Sequence, residues 1–340
     1  MTQRRTILQA LRDGLAEEMA RDPDVFCMGE DISIAGGWGG VFTVTLGLEE
    51  RFRGQLLDTP ISELGYFGLA VGAAIMGMRP IVDVQYGDFL FLAMDQVVNQ
   101  AAKMRYMSGG KVNVPMVIRA PIGATGRGAQ HAQSLERFFF GVPGLKVVCP
   151  STAYDAKGLL KSAIRDNNPV IMFEHKLLYG SKGLGQATGA VDASDDIPDE
   201  DYTVPIGKGV IRREGTDVTI IATLLMMHVA MNAAEELEAA GVSVEVIDPR
   251  SLNPFDWALV EESVKKTTRA MVLEEGPKFG GWSGEIAATL AEKMAEYLTA
   301  PVQRVASPDI PVPFSPTMEQ YYRPGRQDVT QAVMSLLQYA

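Results

Sequence analysis

The sequence predicts an α/β protein of two domains, each a mainly parallel sheet with helices on both faces. Short apolar runs, such as RPIVDV from Arg79 and PVIMFE from Pro169, alternate with longer segments of helical periodicity. The length of 340 residues and the hydrophobic content of 46% favour two cores over one. The alternation stops between Gly180 and Pro205 and then resumes, which indicates a boundary between the domains.

The first domain is predicted to open with a helix. Thr6 and Gln9 have the spacing of a capping box, and Ile7, Leu11 and Leu15 recur on one face. A helix is also expected to begin near Glu63, at the start of the apolar run that follows DTPIS. Further helices are expected at residues 93–107 and 151–166. Strands are predicted at residues 79–84, 115–120, 145–150 and 169–174.

An acidic segment follows this domain. VDASDDIPDEDY, residues 191–202, holds six acids in twelve residues, a composition typical of a solvated linker. We therefore predict a first domain over 1–185, a linker over 186–204 and a second domain over 205–340. Strands at 217–223, 242–248, 269–275 and 301–306, with helices at 226–240 and 284–298, make the second domain α/β as well.

Charge and cysteine content narrow the class of protein. The net charge of -11 at pH 7 repels phosphate backbones and anionic lipid headgroups, so neither nucleic acid nor a membrane surface is an expected partner. Cys27 and Cys149 are far apart and are expected to be buried thiols in a reducing compartment. No stretch reaches membrane-spanning length, and Gln9, Arg12 and Asp13 interrupt any apolar signal region, so we expect a cytoplasmic protein.

Two residues are candidates for chemistry. Glu63 is either a first-turn acid that favours the positive end of the helix or a functional carboxylate. His131 lies in the glycine-rich segment GATGRGAQHAQS, where it is either a binding residue or a histidine satisfied by loop backbone. His228 lies in an apolar helical run and is expected to pack. GGWGG from Gly36 lacks the Gly-Lys-Ser/Thr ending of a phosphate loop and is expected to be a flexible loop.

Several blocks in one order carry a family resemblance. DTPISELG, DQVVNQAAKMRYMSGG, GAQHAQS, AIRDNNP and IDPRSLNPFD resemble the beta subunit of the thiamine-diphosphate-dependent decarboxylating component of 2-oxo acid dehydrogenase complexes. The resemblance spans residues 6 to about 314. It implies a pyrimidine-binding domain followed by a transketolase-type carboxy-terminal domain.

The resemblance implies roles for four residues. Glu63 takes the place of the glutamate that shares a proton with a ring nitrogen of the cofactor's aminopyrimidine, which lets the cofactor deprotonate its own thiazolium carbon. Phe89 matches the aromatic position that packs on the aminopyrimidine, and Glu30 matches an acidic position near the cofactor. His131 matches a histidine proposed to bind the substrate carboxylate and to assist acyl transfer to a lipoyl arm.

The resemblance also implies metals and partners. A potassium ion would be held mainly through oxygen atoms of Met116, Ala163, Ile164, Asp166 and Asn168. The Gly-Asp-Gly and downstream Asn motif that grips Mg²⁺ and the diphosphate is missing, because Gly87 and Asp88 are followed by Phe89. A separate alpha subunit is therefore expected to supply that half of the site in an α2β2 heterotetramer, with a lipoyl-bearing acyltransferase as a further partner.

The substrate stays open at this stage. GGVFTVTLGL and PSTAYDAKGLL look closer to pyruvate and acetoin members than to branched-chain members. We expect oxidative decarboxylation of pyruvate, with an acetoin dehydrogenase beta subunit as the first alternative. A transketolase or sugar-phosphate synthase half and a non-catalytic scaffold subunit are the others, although a degenerate scaffold is expected to lose Glu63.

Overall fold

The computed structural model describes residues 2–34, 37–180 and 190–339. The strands are β1 (Thr2–Arg5), β2 (Val25–Gly29), β3 (Leu56–Asp58), β4 (Arg79–Asp83), β5 (Val117–Ile122), β6 (Lys146–Val148), β7 (Val170–His175), β8 (Asp195–Pro198), β9 (Val210–Arg213), β10 (Val218–Ala222), β11 (Val244–Asp248), β12 (Ser251–Asn253), β13 (Ala270–Pro277) and β14 (Gln303–Ser307). The helices are α1 (Ile7–Arg21), α2 (Glu63–Ile75), α3 (Ala102–Met107), α4 (Ala153–Arg165), α5 (Leu225–Ala239), α6 (Trp257–Thr267), α7 (Trp282–Lys293), α8 (Pro316–Tyr322) and α9 (Arg326–Leu336).

The first domain is built on a seven-stranded sheet in the order β12-β6-β7-β5-β4-β2-β3. Every residue of β5 and β7 is buried, because the sheet is covered on both faces. Helices α1 and α4 pack together on one face, and α2 contributes to the core on the other. All pairs in this sheet are parallel except β12 with β6. The second half of the chain therefore supplies one edge strand of the first sheet.

The second domain has a five-stranded sheet in the order β14-β13-β10-β11-β9. Its pairs are parallel except β9 with β11. Side chains of α5 and α9 enter the core on one side, and those of α6 and α7 enter the core on the other. The predicted fold class of two α/β domains with covered, mainly parallel sheets is confirmed.

The amino-terminal helix forms as predicted. The backbone N–H of Gln9 donates to Thr6 Oγ1 at 3.3 Å, and the backbone N–H of Thr6 donates to Gln9 Oε1 at 3.0 Å, which completes the capping box. Ile7, Leu11 and Leu15 are all buried. This helix therefore begins where its sequence pattern places it.

The helix predicted at residues 93–107 is irregular. A 3-10 segment, Gly87–Ala93, leads into a π-helical segment, Asp95–Ala101, before α3 begins. Asp95 accepts hydrogen bonds from the side chains of Asn99 at 2.7 Å and of Gln100 at 3.4 Å. The contact with Gln100 spans five residues, the repeat of a π-helix, and a search for 3.6-residue periodicity does not detect it.

The acidic segment packs more than its composition predicts. Strand β8 within it pairs antiparallel with β1, and Ile197 is buried. Acids in the segment form ion pairs with basic residues of the first domain: Asp192 with Arg4 at 3.2 Å, and Asp201 with Arg165 at 2.9 Å. The expectation of a fully solvated linker is therefore wrong for this part. Residues 186–189 lie outside the described residues, so the boundaries at 185 and 205 stay a prediction.

Four smaller expectations concern the cysteines, His228, the GGWGG segment and membrane-spanning helices. Cys27 and Cys149 are free and buried, and burial raises the pKa of both thiols. His228 is largely buried and its Nε2 lies 2.8 Å from the carbonyl oxygen of Ser151, as a packing histidine requires. Gly36 of the GGWGG segment lies outside the described residues. Within the described ranges no helix is long and apolar enough to cross a bilayer.

Candidate active site

Every predicted site residue of the first domain, apart from the potassium set, follows the carboxyl end of a parallel strand. Glu30 follows β2, Glu63 follows β3, Phe89 follows β4 and His131 follows β5. Ligands of open α/β sheets bind at this edge, because the loops after neighbouring parallel strands converge there. The fold thus brings together four residues that span about a hundred positions in the sequence.

Glu63 is the first residue of α2, and its carboxylate is not used in capping. Ser62 occupies the N-cap position, but its side chain makes no capping hydrogen bond. Glu63 is only 7% exposed, and its carboxylate has no hydrogen bond to any described residue. The favourable end of the helix dipole still faces it. A buried carboxylate without a protein partner is suited to a ligand that presents a donor.

Glu30 is a second buried carboxyl beside Glu63. Its pKa is raised to about 7, mainly by burial and also by the charges of Glu63 and Asp31. Its Oε1 is buried and has no hydrogen-bond partner within the described chain. The nearby hydroxyl of Tyr66 is buried without a partner as well. A carboxyl with a pKa near 7, as Glu30 has, can hold or release a proton near neutral pH.

Phe89 and His131 belong to one aromatic cluster. The ring of His131 packs edge-on against Tyr86 at 4.9 Å and against Phe89 at 5.4 Å between centroids. Tyr86 and Phe89 are themselves 5.8 Å apart in an edge-on arrangement. Gln85, just before this pair, donates from Nε2 to the backbone oxygen of Glu30 at 2.9 Å. The segment after β4 therefore connects the carboxyl pair to the histidine.

His131 lies in a loop of residues 123–134, the His131 loop, that is held at several points. Lys176 donates from Nζ to the backbone oxygen of His131. Gln133 donates from Nε2 to Asp88 Oδ1 at 2.7 Å. At the start of the loop, Gly123 has φ +97°, and a Cβ there would lie 2.1 Å from the Nε2 of His175. Glycine is therefore required at 123 for both conformation and space.

The second domain also holds the His131 loop. Glu275 Oε1 accepts the backbone N–H of Ala124 at 2.6 Å, and Glu319 Oε1 accepts that of Gly126 at 2.6 Å. Both acids are buried. The geometry of the histidine thus depends on both domains.

His175 connects the end of β7 to the second domain. Its Nδ1 accepts the backbone N–H of Leu177 at 3.2 Å, so Nε2 carries the proton and donates to Glu275 Oε2 at 2.8 Å. His175, Lys176, Glu275 and Glu319 are absent from the sequence-based site. The sequence does point to the two basic residues, because His175 and Lys176 directly follow a predicted apolar parallel strand, where ligands of such sheets bind. The two acids had none, because they come from the other domain.

The five residues of the predicted potassium site lie in one place. The carbonyl oxygens of Ile164 and Asp166 both accept hydrogen bonds from Arg79, at 2.9 and 3.0 Å, and Lys146 donates to the Asp166 carboxylate. Asn168 donates to the same carboxylate at 2.8 Å. Carbonyl oxygens keep a second lone pair, and an oxygen donor set suits a hard cation. Elsewhere in the described ranges, no group of three His, Cys, Asp or Glu side chains could hold a metal ion.

Two family models cover most of the chain. The model of the transketolase pyrimidine binding domain matches residues 3–182, and that of the transketolase C-terminal domain matches residues 207–329. The chain is 44% identical to the beta subunit of acetoin:2,6-dichlorophenolindophenol oxidoreductase of Cupriavidus necator, over 98% of this chain and 97% of the relative. It is 42% identical to the beta subunit of 2-oxoisovalerate dehydrogenase of Bacillus subtilis, over 98% of each chain.

A third relative of similar identity has a different substrate in its name. The chain is 43% identical to pyruvate dehydrogenase E1 component subunit beta-1 of Arabidopsis thaliana, over 96% of this chain and 88% of the relative. The chain belongs to the beta-subunit family of the 2-oxo acid dehydrogenases. A solved chain described as a split-gene transketolase in an inactive beta4 tetramer superposes with a TM-score of 0.78 at 23% identity, over 98% of both chains, which shows the shared fold.

The family match indicates which class of ligand the two buried carboxyls can bind. A beta subunit of a 2-oxo acid dehydrogenase is built from the two transketolase domains found here. Both carboxyls lie in the pyrimidine binding domain, and the buried, unpartnered Oε1 of Glu30 fits a nitrogen heterocycle that offers N–H donors. Relatives named for three substrates lie within two percentage points of identity, so identity does not select among these substrates.

Proposed function

We propose that this beta subunit acts with an alpha subunit in the oxidative decarboxylation of a 2-oxo acid, pyruvate in the first instance, and in acyl transfer to a lipoyl carrier. The observation that carries the proposal is the pair of buried carboxyls, Glu30 and Glu63, of which Glu30 Oε1 has no hydrogen-bond partner in the described chain. The ring contact between Phe89 and His131 supports it. Thiamine diphosphate, when bound, would supply a nucleophilic carbon and a sink for the electron pair that stays on the former carbonyl carbon when carbon dioxide leaves.

Glu63 is the residue that holds the proton at the aminopyrimidine ring nitrogen. Its carboxyl is largely removed from water at the first turn of α2, beside the second buried carboxyl, that of Glu30. Glu30 can exchange that proton with Glu63, since the raised pKa of about 7 keeps both protonation states accessible near neutral pH. Phe89 packs against the aminopyrimidine ring and excludes water from it.

His131 acts on the substrate side. Its ring packs edge-on against Tyr86 and Phe89 and is only partly buried, so a substrate carboxylate or a dithiolane sulfur can reach the imidazole. A fixed imidazole can donate a proton to the lipoyl sulfur as the acyl group is transferred. This step separates its role from that of Glu63, which acts before the substrate is attacked.

The alpha subunit is proposed to cover the exposed side of α2 and to bring Mg²⁺ and the diphosphate site. Helix α2 starts at Glu63, yet Leu64 and Leu69 on it are 52% and 57% exposed, and Met76, its C-cap residue, is 83% exposed. A Cβ built on Gly72 of the same helix meets no atom within 4 Å. An apolar helix face beside an incomplete site indicates an interface. We propose an α2β2 tetramer, with a lipoyl-bearing acyltransferase as its further partner.

Acetoin is the second candidate substrate. The supporting observation is the 44% identity to the acetoin oxidoreductase beta subunit of Cupriavidus necator. Acetoin cleavage needs the same cofactor chemistry at a carbonyl carbon, so the residues above serve either substrate. A cytoplasmic location, an occupied potassium site and the domain boundaries remain further predictions from the sequence.

The test is co-expression of the chain with an alpha subunit encoded beside it. Cofactor-dependent dye reduction by the purified tetramer is measured with pyruvate, 2-oxoisovalerate and acetoin, and the chain alone serves as the control. We expect turnover by the tetramer with pyruvate preferred and none by the isolated chain. Turnover by the isolated chain would contradict the shared site, and acetoin preference would select the second candidate.

A further inference from the structure

We propose that Lys176 is a positioning residue for His131, which it holds through the main-chain carbonyl of His131 and through the ring of Tyr86. This inference rests on the proposed role of His131. It assigns to the buried lysine a function in the acyl-transfer step that the buried carboxyl pair does not share.

The first observation is the environment of the ammonium group. Lys176 is 0% exposed, and in the described part of the chain its Nζ forms no ion pair with a carboxylate. Its Nζ instead donates to the backbone oxygen of His131 and lies 5.1 Å from the centroid of the Tyr86 ring. A buried ammonium is costly to desolvate, and both of these Nζ contacts lead to His131.

The second observation is that Tyr86 contacts the histidine ring itself. The centroids of Tyr86 and His131 are 4.9 Å apart with an interplanar angle of 85°. Lys176 therefore fixes His131 twice: its charge anchors the backbone, and it also anchors the aromatic ring against which the imidazole packs. Removing the ammonium releases both restraints at once.

The third observation is the rigidity of the lysine's own backbone. Lys176 begins the 3-10 turn Lys176–Leu178, directly after β7, and His175 caps this turn by accepting the N–H of Leu177. His175 in turn donates to Glu275, which accepts the N–H of Ala124 at the start of the His131 loop. Two consecutive side chains thus hold the loop at its start and at its histidine.

The charges around Lys176 are mixed. Burial lowers the pKa of Lys176 to about 8, the nearby acids Asp88, Glu275 and Glu319 oppose this shift, and Arg127 adds to it. Two further polar residues contact the ammonium directly, His131 through its backbone oxygen and Tyr86 through its ring. The ammonium is thus the main form at pH 7, and above about pH 8 the contact with the Tyr86 ring loses its charge.

The experiment uses the assembled tetramer with Lys176→Met, and Lys157→Met is the matched control. Lys157 is also a buried lysine, but it pairs with Glu17 at 2.6 Å in the contact between α4 and α1. Two rates are measured: hydrogen–deuterium exchange at the thiazolium carbon, and acylation of a saturating free lipoyl domain. We expect Lys176→Met to slow acylation by about 10²-fold with exchange within two-fold of wild type, since small misplacements of a catalytic group cost that much. Lys157→Met should change neither rate.

A double variant tests whether Lys176 acts through His131. In a His131→Ala background, Lys176→Met should cause no further loss of acylation, because coupled residues are not additive. If Lys176→Met does not assemble, Lys176→Gln keeps an N–H donor for the carbonyl and should give a smaller loss confined to acylation. An additive double variant, an equal loss of exchange, or unchanged acylation would overturn the proposal. Absence of acylation in the wild-type tetramer would instead overturn the proposed function.

Discussion

The Nε2 of His175 lies 2.8 Å from Oε2 of Glu275, which joins the end of β7 in the first domain to β13 in the second. Burial raises the pKa of Glu275, but the contact with His175 and the N–H of Ala124 outweigh it, so the pKa lies below its ordinary value of 4.5. Because this pKa is depressed in the folded protein, the ionised Glu275 carboxylate stabilises the fold above pH 4.5. The stabilisation is lost as the pH falls below that value.

Glu275→Gln should therefore destabilise the protein at pH 7 by about 1–3 kcal/mol, because a charged acceptor of two hydrogen bonds is replaced. The difference from wild type should shrink as the pH falls below about 4, where the wild-type carboxyl is itself protonated. Denaturant unfolding of the tetramer across pH measures this. Exposed Glu292→Gln is the control. A difference that is constant with pH would contradict the assigned ionisation.

Glu63→Gln keeps the size of the side chain and removes an exchangeable acid proton. Turnover should fall by about 10² to 10⁴ while cofactor affinity changes little, because general acid–base steps contribute rates of that size and the diphosphate is held elsewhere. Exchange at the thiazolium carbon reports the step directly. A helix-cap role predicts the opposite pattern, with stability lower by about 1 kcal/mol or less and wild-type exchange.

His131→Ala should impair acylation of the lipoyl domain more than it impairs cofactor binding, because the histidine lies on the substrate side of Phe89. Single-turnover acylation at saturating lipoyl domain separates the step from substrate binding. His228→Ala is the matched control, since that histidine bonds only to the backbone of Ser151. An unchanged acylation rate would leave His131 with a packing role alone.

Glu136 is a buried acid outside the carboxyl pair. Burial raises its pKa to about 8, and the charges of Glu274 and Glu275 add to this shift while Arg137 opposes it. A raised pKa means that the stability it contributes is present below pH 4.5 and is lost as the pH rises toward 8. The melting temperature of Glu136→Gln should therefore exceed that of wild type by a margin that grows over this pH range, to roughly 2 °C or more at pH 8. Parallel melting curves at all pH values would show that Glu136 ionises normally.

The potassium site is tested by thermal melts of the tetramer in KCl and NaCl at equal ionic strength. Occupation of the site should raise the midpoint in KCl by about 2–4 °C, because a bound ion stabilises only the folded state. Asp166→Asn should weaken this difference. Asp192→Asn, at an exposed ion pair with Arg4, should preserve it. Identical wild-type midpoints in the two salts would mean that Arg79 and Lys146 alone satisfy these oxygens.

Local patterns predict the fold better than the site. Strands β5 and β7 were predictable because burial on both faces gives each strand a mostly apolar sequence, VIRAPI and VIMFEH. Strands β9 and β12 carry too few residues for a pattern and depend on pairing with distant partners. The residue pattern alone made Glu63 and His131 candidates, and the family resemblance added Glu30, Phe89 and the chemical roles. Glu275 and Glu319 act across the domain boundary and could be found only in three dimensions.

Strand β12 has a consequence for protein engineering. A gene fission between the two family domains, or a chimaera that exchanges the second domain between relatives, would also remove or replace the edge strand that pairs with β6. The freed edge of Lys146–Val148 would present unpaired amide groups, and such an edge promotes self-association. A recombinant first domain would therefore need residues 251–253 grafted back, or a designed edge, to remain monodisperse.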